Sequence, residues 1–390
     1  YTIQPLIFRF FIAAPASKGL PPYTLIGLLR TVTLFLLFFI GCILLRILIA
    51  LLYLVPVRKS SKQHFVCRLI QITCKGILLL ATAVKKEHIN KANERFDRPA
   101  IIIANHQSFI DILVLLSLSS KVLMMTNHWV WHSPFFGAII RYADFYYIGE
   151  GYEQYIERMK KKVEEGYSIA VFPEGTRTYN GKMKRFHKGA FYLAETLQLD
   201  ILPILLYGND KIIAKAQPFN VRKGIIYTEI LPRIPAGDPS FGATYQERTK
   251  RISTYMKQEY ARICREKNTT DNPAFYEALI QNYIYKGPIV EWYIRIKVKM
   301  EGNYRLFNRL IPTQGQITDI GCGFGPLCYM LSLLSDDRNI LGIDYDEDKI
   351  AVAQHGWLRG DRLQFRHGNA LEYPLPESDV FILNDMLHYM

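Results

Sequence analysis

Two hydrophobic patterns divide the chain. Between positions 31 and 55 the run TVTLFLLFFIGCILLRILIALLYLV is apolar apart from Thr31, Thr33 and Arg46, and about 20 apolar residues are enough to cross a bilayer core. A second run, LIQITCKGILLLATAV at 69–84, is shorter and broken by Lys75. A charge such as Arg46 costs roughly 2.5–3.5 kcal/mol at mid-membrane. The two runs therefore predict either one span followed by a buried helix or a two-helix hairpin dipping into one leaflet. Arg58, Lys59, Lys62 and Arg68 follow the first run, against Lys18 and Arg30 before it. That bias places the downstream chain on the cytoplasmic side of an inner (cytoplasmic) membrane. Residues 1–14 are also apolar and read as the tail of an earlier membrane segment.

From about position 99 the apolar runs shorten to strand length. Strands are expected at 100–104, 122–126, 145–148, 168–172, 201–206 and 225–230, and helices at 109–119, 153–165, 187–198 and 244–265. This alternation predicts an α/β class with a mixed or parallel sheet covered by helices. The polar stretch REKNTTDNP (265–273) reads as a linker. A helical, aromatic-rich lead-in follows, and a second α/β segment opens at GQITDIGCGFG (315–325). The expected organisation is an N-terminal stub of a longer chain (1–30), membrane-associated helices (31–84), an α/β domain (85–265), a linker and lead-in (266–312), and a second α/β domain (313–390).

Composition narrows the function classes. The 390 residues are 49% hydrophobic and 21% charged, which favours packed domains over disorder. A net charge of +13 calls for an anionic partner. No nucleic-acid motif is present and a membrane signal is, so membrane phospholipid is the expected partner. The six cysteines lack zinc-ligand spacing and read as reduced thiols, with no metal expected.

Candidate chemistry starts at NHQSFID (105–111), which sets His106 and Asp111 just past the apolar run AIIIA. Five residues turn ~500° on a regular helix, so the two would not share a helical face. They meet if His106 occupies the turn before a helix and Asp111 its first turn. The carboxylate then holds one ring nitrogen and leaves the other as a general base. Ser108 reads as a turn or capping residue. Downstream, FPEGTR (172–177) ends a strand in a loop, where Gly175 permits a tight backbone and Arg177 offers a planar fork suited to phosphate. Lys182, Lys184, Arg185 and Lys188 add a basic rim, and ILPI (201–204) marks another buried strand.

NHQSFID, FPEGTR and ILPI, in that order and spacing, resemble the glycerolipid acyltransferase family, the 1-acylglycerol-3-phosphate acyltransferases among them, over roughly residues 65–265. The resemblance implies that His106 takes the proton of an acceptor hydroxyl. That oxygen attacks the thioester of acyl-CoA or acyl-carrier protein, with Asp111 orienting the base. It further implies acceptor binding by Glu174, Gly175, Thr176 and Arg177, with Arg177 on a phosphate and Lys188 grouped with them. One departure bears on the acceptor. Members acting on glycerol phosphates carry an arginine where this chain, after PFFG (134–137) and the strand FYYI (145–148), has Gly149 and Glu150, with Arg141 upstream. A glutamate there repels phosphate, so a lysophospholipid or related lipid is expected rather than lysophosphatidate in particular.

ITDIGCGFGPL (317–327) is a strand entering a glycine-rich turn and then a helix. Asp344 ends the next strand 25 residues after Asp319, placed to bind ribose hydroxyls. With VFILND (380–385) as a later strand, the segment resembles class I S-adenosylmethionine-dependent methyltransferases; a nicotinamide-type dinucleotide domain is the competing reading. The resemblance implies that Asp319, Gly321, Gly323 and Gly325 line the methionine end, that Asp344 holds the ribose and that Asn369 sits near the adenine. Such a Rossmann-like domain normally has seven strands and the sequence reaches the fourth, so a truncated domain is expected. Taken together, the chain reads as a membrane-associated O-acyltransferase fused to a methyltransferase module. The alternatives are methyl transfer as the main activity, with the upstream region an anchor, or a part of a multifunctional lipid exporter or modification protein.

Overall fold

The computed structural model describes residues 19–384 apart from 82, 152, 180, 302 and 373. The apolar residues 1–14 and the end of VFILND lie outside them. The described residues form two compact units, 28–264 and 265–384, the latter together with 19–27.

The first unit is built on a seven-stranded sheet: β1 (Val84–Asn90), β2 (Ile101–Ala104), β3 (Val122–Thr126), β4 (Tyr146–Tyr147), β5 (Ser168–Val171), β6 (Ile201–Tyr207) and β7 (Gly224–Ile230). Their order is β1-β7-β6-β2-β5-β3-β4. Only the β6–β7 pairing is antiparallel; the others are parallel. The sheet is therefore mixed. Every residue of β2, β3, β5, β6 and β7 is buried, which is why their sequences are unbroken apolar runs instead of alternating ones. β1 is different: of VKKEHIN only Val84 is buried. Charged residues on such an edge strand discourage further pairing.

Two long helices precede the sheet, Leu25–Tyr53 and Lys59–Leu80. The first is long and apolar enough to cross a membrane, and it is apolar on two opposite faces. One face meets the domain along its length. Val221 N donates to Thr31 Oγ1 at 3.0 Å, Phe38 packs edge-on against Phe109 and Phe136, and Cys42, Leu45 and Ile49 are buried. The other face, Leu29, Val32, Leu36, Ile40, Ile43, Ile47 and Leu51, is exposed and recurs every three or four residues, one stripe of a helix. Arg46, the charge within this run, donates from Nη1 to the Pro134 carbonyl at 2.7 Å.

The second unit holds β8 (Gln314–Ile320), β9 (Asp337–Asp344), β10 (Leu363–His367) and β11 (Val380–Leu383), all parallel, in the order β10-β9-β8-β11. The order reverses at β8, and ligands bind at the carboxyl ends of strands at such a switch point. Helices Pro273–Ile280, Pro288–Met300 and Tyr304–Leu310 contribute Phe275, Leu279, Ile294 and Tyr304 to the same core as the sheet. The stretch read from sequence as linker and lead-in is thus structural in this unit from about residue 273.

Candidate active sites

β2 ends at Ala104, and the chain turns through residues 105–109 before helix Ile110–Leu118 begins. His106 lies in that turn and Asp111 is the second residue of the helix. His106 Nδ1 is 2.8 Å from Asp111 Oδ2. Asp111 is fully buried, and its carboxylate is completely engaged. Oδ2 also accepts from the backbone N–H groups of Gln107 and Ser108, and Oδ1 accepts from Asn209 Nδ2 at 2.7 Å. A carboxylate with donors on both oxygens has one rotamer, so it fixes the imidazole in the tautomer that carries the proton on Nδ1 and leaves Nε2 as an acceptor. Phe172 stacks on the ring with centroids 3.9 Å apart and 12° between planes. Ser108 serves the turn, donating from Oγ to the Ile213 carbonyl.

Glu174 joins this loop to the next. Its Oε1 accepts from His106 N at 2.9 Å and its Oε2 from Lys184 N at 2.8 Å. The side chain is buried; burial raises its carboxyl above the ordinary value, and the two amides pull in the opposite direction. Gly175 has φ +70°, and a Cβ there would meet the His187 ring at 3.3 Å. Thr178 N donates to the His106 carbonyl at 2.9 Å, so residues 174–178 are laced to the His106 turn. Thr176 is exposed and Arg177 partly so. Lys188 is exposed at the start of helix Gly189–Thr196, and no contact joins it to His106 or Glu174 among the described residues.

His106 also lines an apolar cavity of about 130 Å³, with Phe38 and Leu45 from the first helix, Ile70 and Ile77 from the second, and Phe172. His106 thus faces apolar side chains on one side and the polar 174–178 loop on the other. Sequence reasoning passed over Asn209, which holds Asp111, and Lys215, which donates from Nζ to the Arg177 carbonyl at 2.9 Å; both lie on the segment following β6, neither carries a motif, and only the return of the chain beside β2 brings them there. Neither sequence candidate near position 150 reaches it. Arg141 donates to the Trp131 carbonyl and lies over the Trp131 ring. Glu150 accepts from the Tyr155 hydroxyl.

In the second unit, a cavity of about 450 Å³ opens at the carboxyl ends of β8 and β9, lined by Asp319, Gly321, Gly323, Asp344 and Asn369 among others. Gly321 and Gly323 both have positive φ. Asp344 Oδ2 accepts from Gly323 N at 2.7 Å and Oδ1 from Asp346 N at 2.9 Å, which aims its carboxylate beside the glycine turn. Asp319 is buried and accepts from the Cys328 thiol; burial pushes its carboxyl up to about 7. Gly325 departs from its sequence assignment. It is not among the residues lining the cavity but caps helix Pro326–Leu334 at φ +74°, where a Cβ would strike the Phe365 ring.

Residues 82–207 match a family model described as Acyltransferase, and residues 317–390 one described as Methyltransferase domain. The chain joins an acyltransferase-family domain to a methyltransferase-family domain. A chloroplastic 1-acyl-sn-glycerol-3-phosphate acyltransferase of Brassica napus is 34% identical over 125 residues, 30% of this chain and 35% of that protein. The beta form from Homo sapiens is 26% identical over 144 residues, 35% of this chain and 51% of that one. The chain thus spans about a third to a half of the length of these curated relatives. The crystal structure of a 1-acyl-sn-glycerophosphate acyltransferase from Thermotoga maritima aligns with a TM-score of 0.52 at 20% identity, covering 61% of this chain and 95% of that one. It shares the fold of the acyltransferase domain.

Proposed function

We propose that the acyltransferase domain moves a fatty acyl group from the thioester of acyl-CoA or acyl-carrier protein to a hydroxyl of a lysophospholipid or related lipid. The observation that carries this reading is the His106 Nδ1–Asp111 Oδ2 contact of 2.8 Å, made by a carboxylate with donors on both oxygens, at the mouth of an apolar cavity. His106 Nε2 takes the acceptor's hydroxyl proton as the oxygen attacks the thioester carbonyl. The C–S bond breaks as the tetrahedral carbon collapses, and the thiolate leaves with the proton that His106 returns. Asp111 stabilises the imidazolium formed in between. The cavity houses the acyl chain. The exposed apolar stripe of helix Leu25–Tyr53 supports membrane attachment, and because that helix is fastened to the domain from Thr31 to Ile49, insertion into one leaflet fits better than a full span. His106→Ala should abolish thiol release from the thioester while leaving secondary structure intact; full activity in that variant would sink the assignment.

The methyltransferase domain fits S-adenosylmethionine on one observation: a Cβ at Gly323 would meet nothing closer than 4.0 Å, so the turn leaves a bare backbone edge on the cavity for a ligand to approach. Bound there, that cofactor supplies an electrophilic methyl on sulfonium. Asp319 would receive the ligand's ammonium, whose charge would offset the burial that disfavours the carboxylate, Asp344 would hold the ribose hydroxyls, and Gly321 and Gly323 would allow the close approach of the chain between them. Calorimetric titration of the whole chain with S-adenosylmethionine tests this, and no heat of binding would remove it.

A further inference from the structure

In the second unit, helix Pro288–Met300 (PIVEWYIRIKVKM) joins the core by one face only. Ile294 and Val298 are buried, and Val290 packs beside them. Ile289, Trp292, Tyr293, Ile296 and Met300 are 48–83% exposed. At about 100° per residue these five fall within an arc of about 100°, so they form one stripe along the helix. Single exposed apolar residues need no explanation, whereas a stripe holding a tryptophan and a tyrosine marks a contact surface.

What borders the stripe identifies the contact. Arg295 and Lys299 lie along one edge, Arg295 paired within the helix to Glu291 at 2.7 Å. Along the other edge Tyr293 and Lys297 line the cavity at the carboxyl ends of β8 and β9, with Lys297 paired to Glu301 at 2.7 Å. From position 286 to 310 the chain carries three lysines and three arginines against two glutamates. Apolar and aromatic side chains edged by cations suit the surface of an anionic bilayer, where the stripe enters the acyl boundary and the cations meet head groups. A second copy of the chain fits less well, because a two-fold contact lays the same positive surface against itself. The membrane attachment proposed for helix Leu25–Tyr53 also keeps a bilayer near this unit. We propose that helix Pro288–Met300 is an interfacial membrane helix, which lays the methyltransferase domain on an anionic lipid surface through Ile289, Trp292, Ile296 and Met300. Tyr293 belongs both to the stripe and to the cavity lining, so docking brings the rim of the cavity to the head groups. The docking stands on this helix and goes beyond the cofactor reading.

The test uses the whole chain reconstituted in vesicles of equal parts phosphatidylglycerol and phosphatidylcholine, with co-flotation to measure attachment. Trp292 is followed by quenching with phospholipids brominated along the acyl chain. Subtracting the Trp292→Phe variant isolates its signal from the other three tryptophans. Trp292 should be quenched in the wild type. Ile296→Asp, a change at an exposed position, should lower the ratio of docked to undocked helix by about tenfold or more while the chain still floats with the vesicles. Lys299→Glu should lower it by about fivefold or more, and only when phosphatidylglycerol is present. Calorimetry with S-adenosylmethionine on the same samples separates the two readings: quenching without cofactor binding keeps the docking and removes the cofactor. A chain that does not float, or that floats with Trp292 unquenched, overturns the docking. So does a dimer that hides Trp292 from lipid and that Ile296→Asp separates, since the stripe then belongs to a second copy. Equal quenching in vesicles of phosphatidylcholine alone overturns the preference for an anionic surface.

Discussion

Replacing Asp111 by asparagine separates the charge of the carboxylate from its shape. Asp111 Oδ2 faces three donors, His106 Nδ1, Gln107 N and Ser108 N, and Oδ1 faces Asn209 Nδ2. In the variant the amide oxygen takes the three-donor side, and the new NH2 points at Asn209. Asn209 can turn its own amide over, because its Oδ1 has no partner where it stands. All hydrogen bonds are then restored, and stability should fall by only about 1 kcal/mol. What is lost is the charge opposite the imidazolium. At ~4 Å between charge centres and an effective dielectric of about 20, that interaction is worth roughly 4 kcal/mol, or about a thousandfold in kcat. The assay is thiol release from acyl-CoA by the purified chain with a lysophospholipid acceptor, beside thermal unfolding of the same sample. Asp111→Ala is the contrast, since it strands four donors at about 1–3 kcal/mol each and should not fold. A folded Asp111→Asn chain with more than a tenth of wild-type kcat would refute the base–partner assignment. One that unfolds would refute the amide exchange.

Three further outcomes follow from the same contacts. Glu174→Ala leaves the half-buried amides of His106 and Lys184 without an acceptor, so it should destabilise the first unit by about 1–3 kcal/mol, read by denaturant unfolding; Glu174→Gln, which keeps one acceptor, should cost less. The Asp319 carboxyl is raised from 3.8 to about 7 in the folded unit, so its protonated form favours folding. That stability is full below about pH 4 and is lost as pH rises toward 7, about 1.4 kcal/mol for each tenfold gain in proton affinity on folding. The protection factors of the β8 amides, with the intrinsic pH dependence of exchange divided out, should fall over that range in the wild type and not in Asp319→Asn. Gly325→Ala should destabilise the second unit through the Phe365 clash and the strained φ, with the loss visible in thermal unfolding of the chain without ligand.

The strands buried on both faces were legible because an unbroken apolar run of strand length leaves few other options, and all six expected segments contain or overlap β2 to β7. β1 was not. VKKEHIN has neither alternation nor apolar mass, and it is a strand only because Val84–Asn90 pairs in register with Gly224–Ile230. Arg46 looked like a mid-membrane cost, and nothing near it in the chain hints that the Pro134 carbonyl, 88 positions away, receives it. The His106–Asp111 spacing was informative because loop-to-helix geometry is local. Asn209 and Lys215 reach the site from a segment about 100 residues downstream, a juxtaposition made by β6 pairing with β2 and by no nearby pattern. The glycine turn had the opposite fault. Its motif treats Gly323 and Gly325 alike, whereas one borders the cavity and the other makes room for a phenylalanine ring.

The most direct test follows the acyl group itself. The purified chain and its His106→Gln variant are reconstituted in vesicles with a labelled acyl thioester and a lysophospholipid, and the label is traced by mass spectrometry. Label should appear in a new lipid O-ester with the wild type, with none in lipid for His106→Gln and none covalently held by either protein. Label appearing in lipid with the variant at the wild-type rate, or trapped on the protein as an acyl-enzyme, would contradict the proposed mechanism.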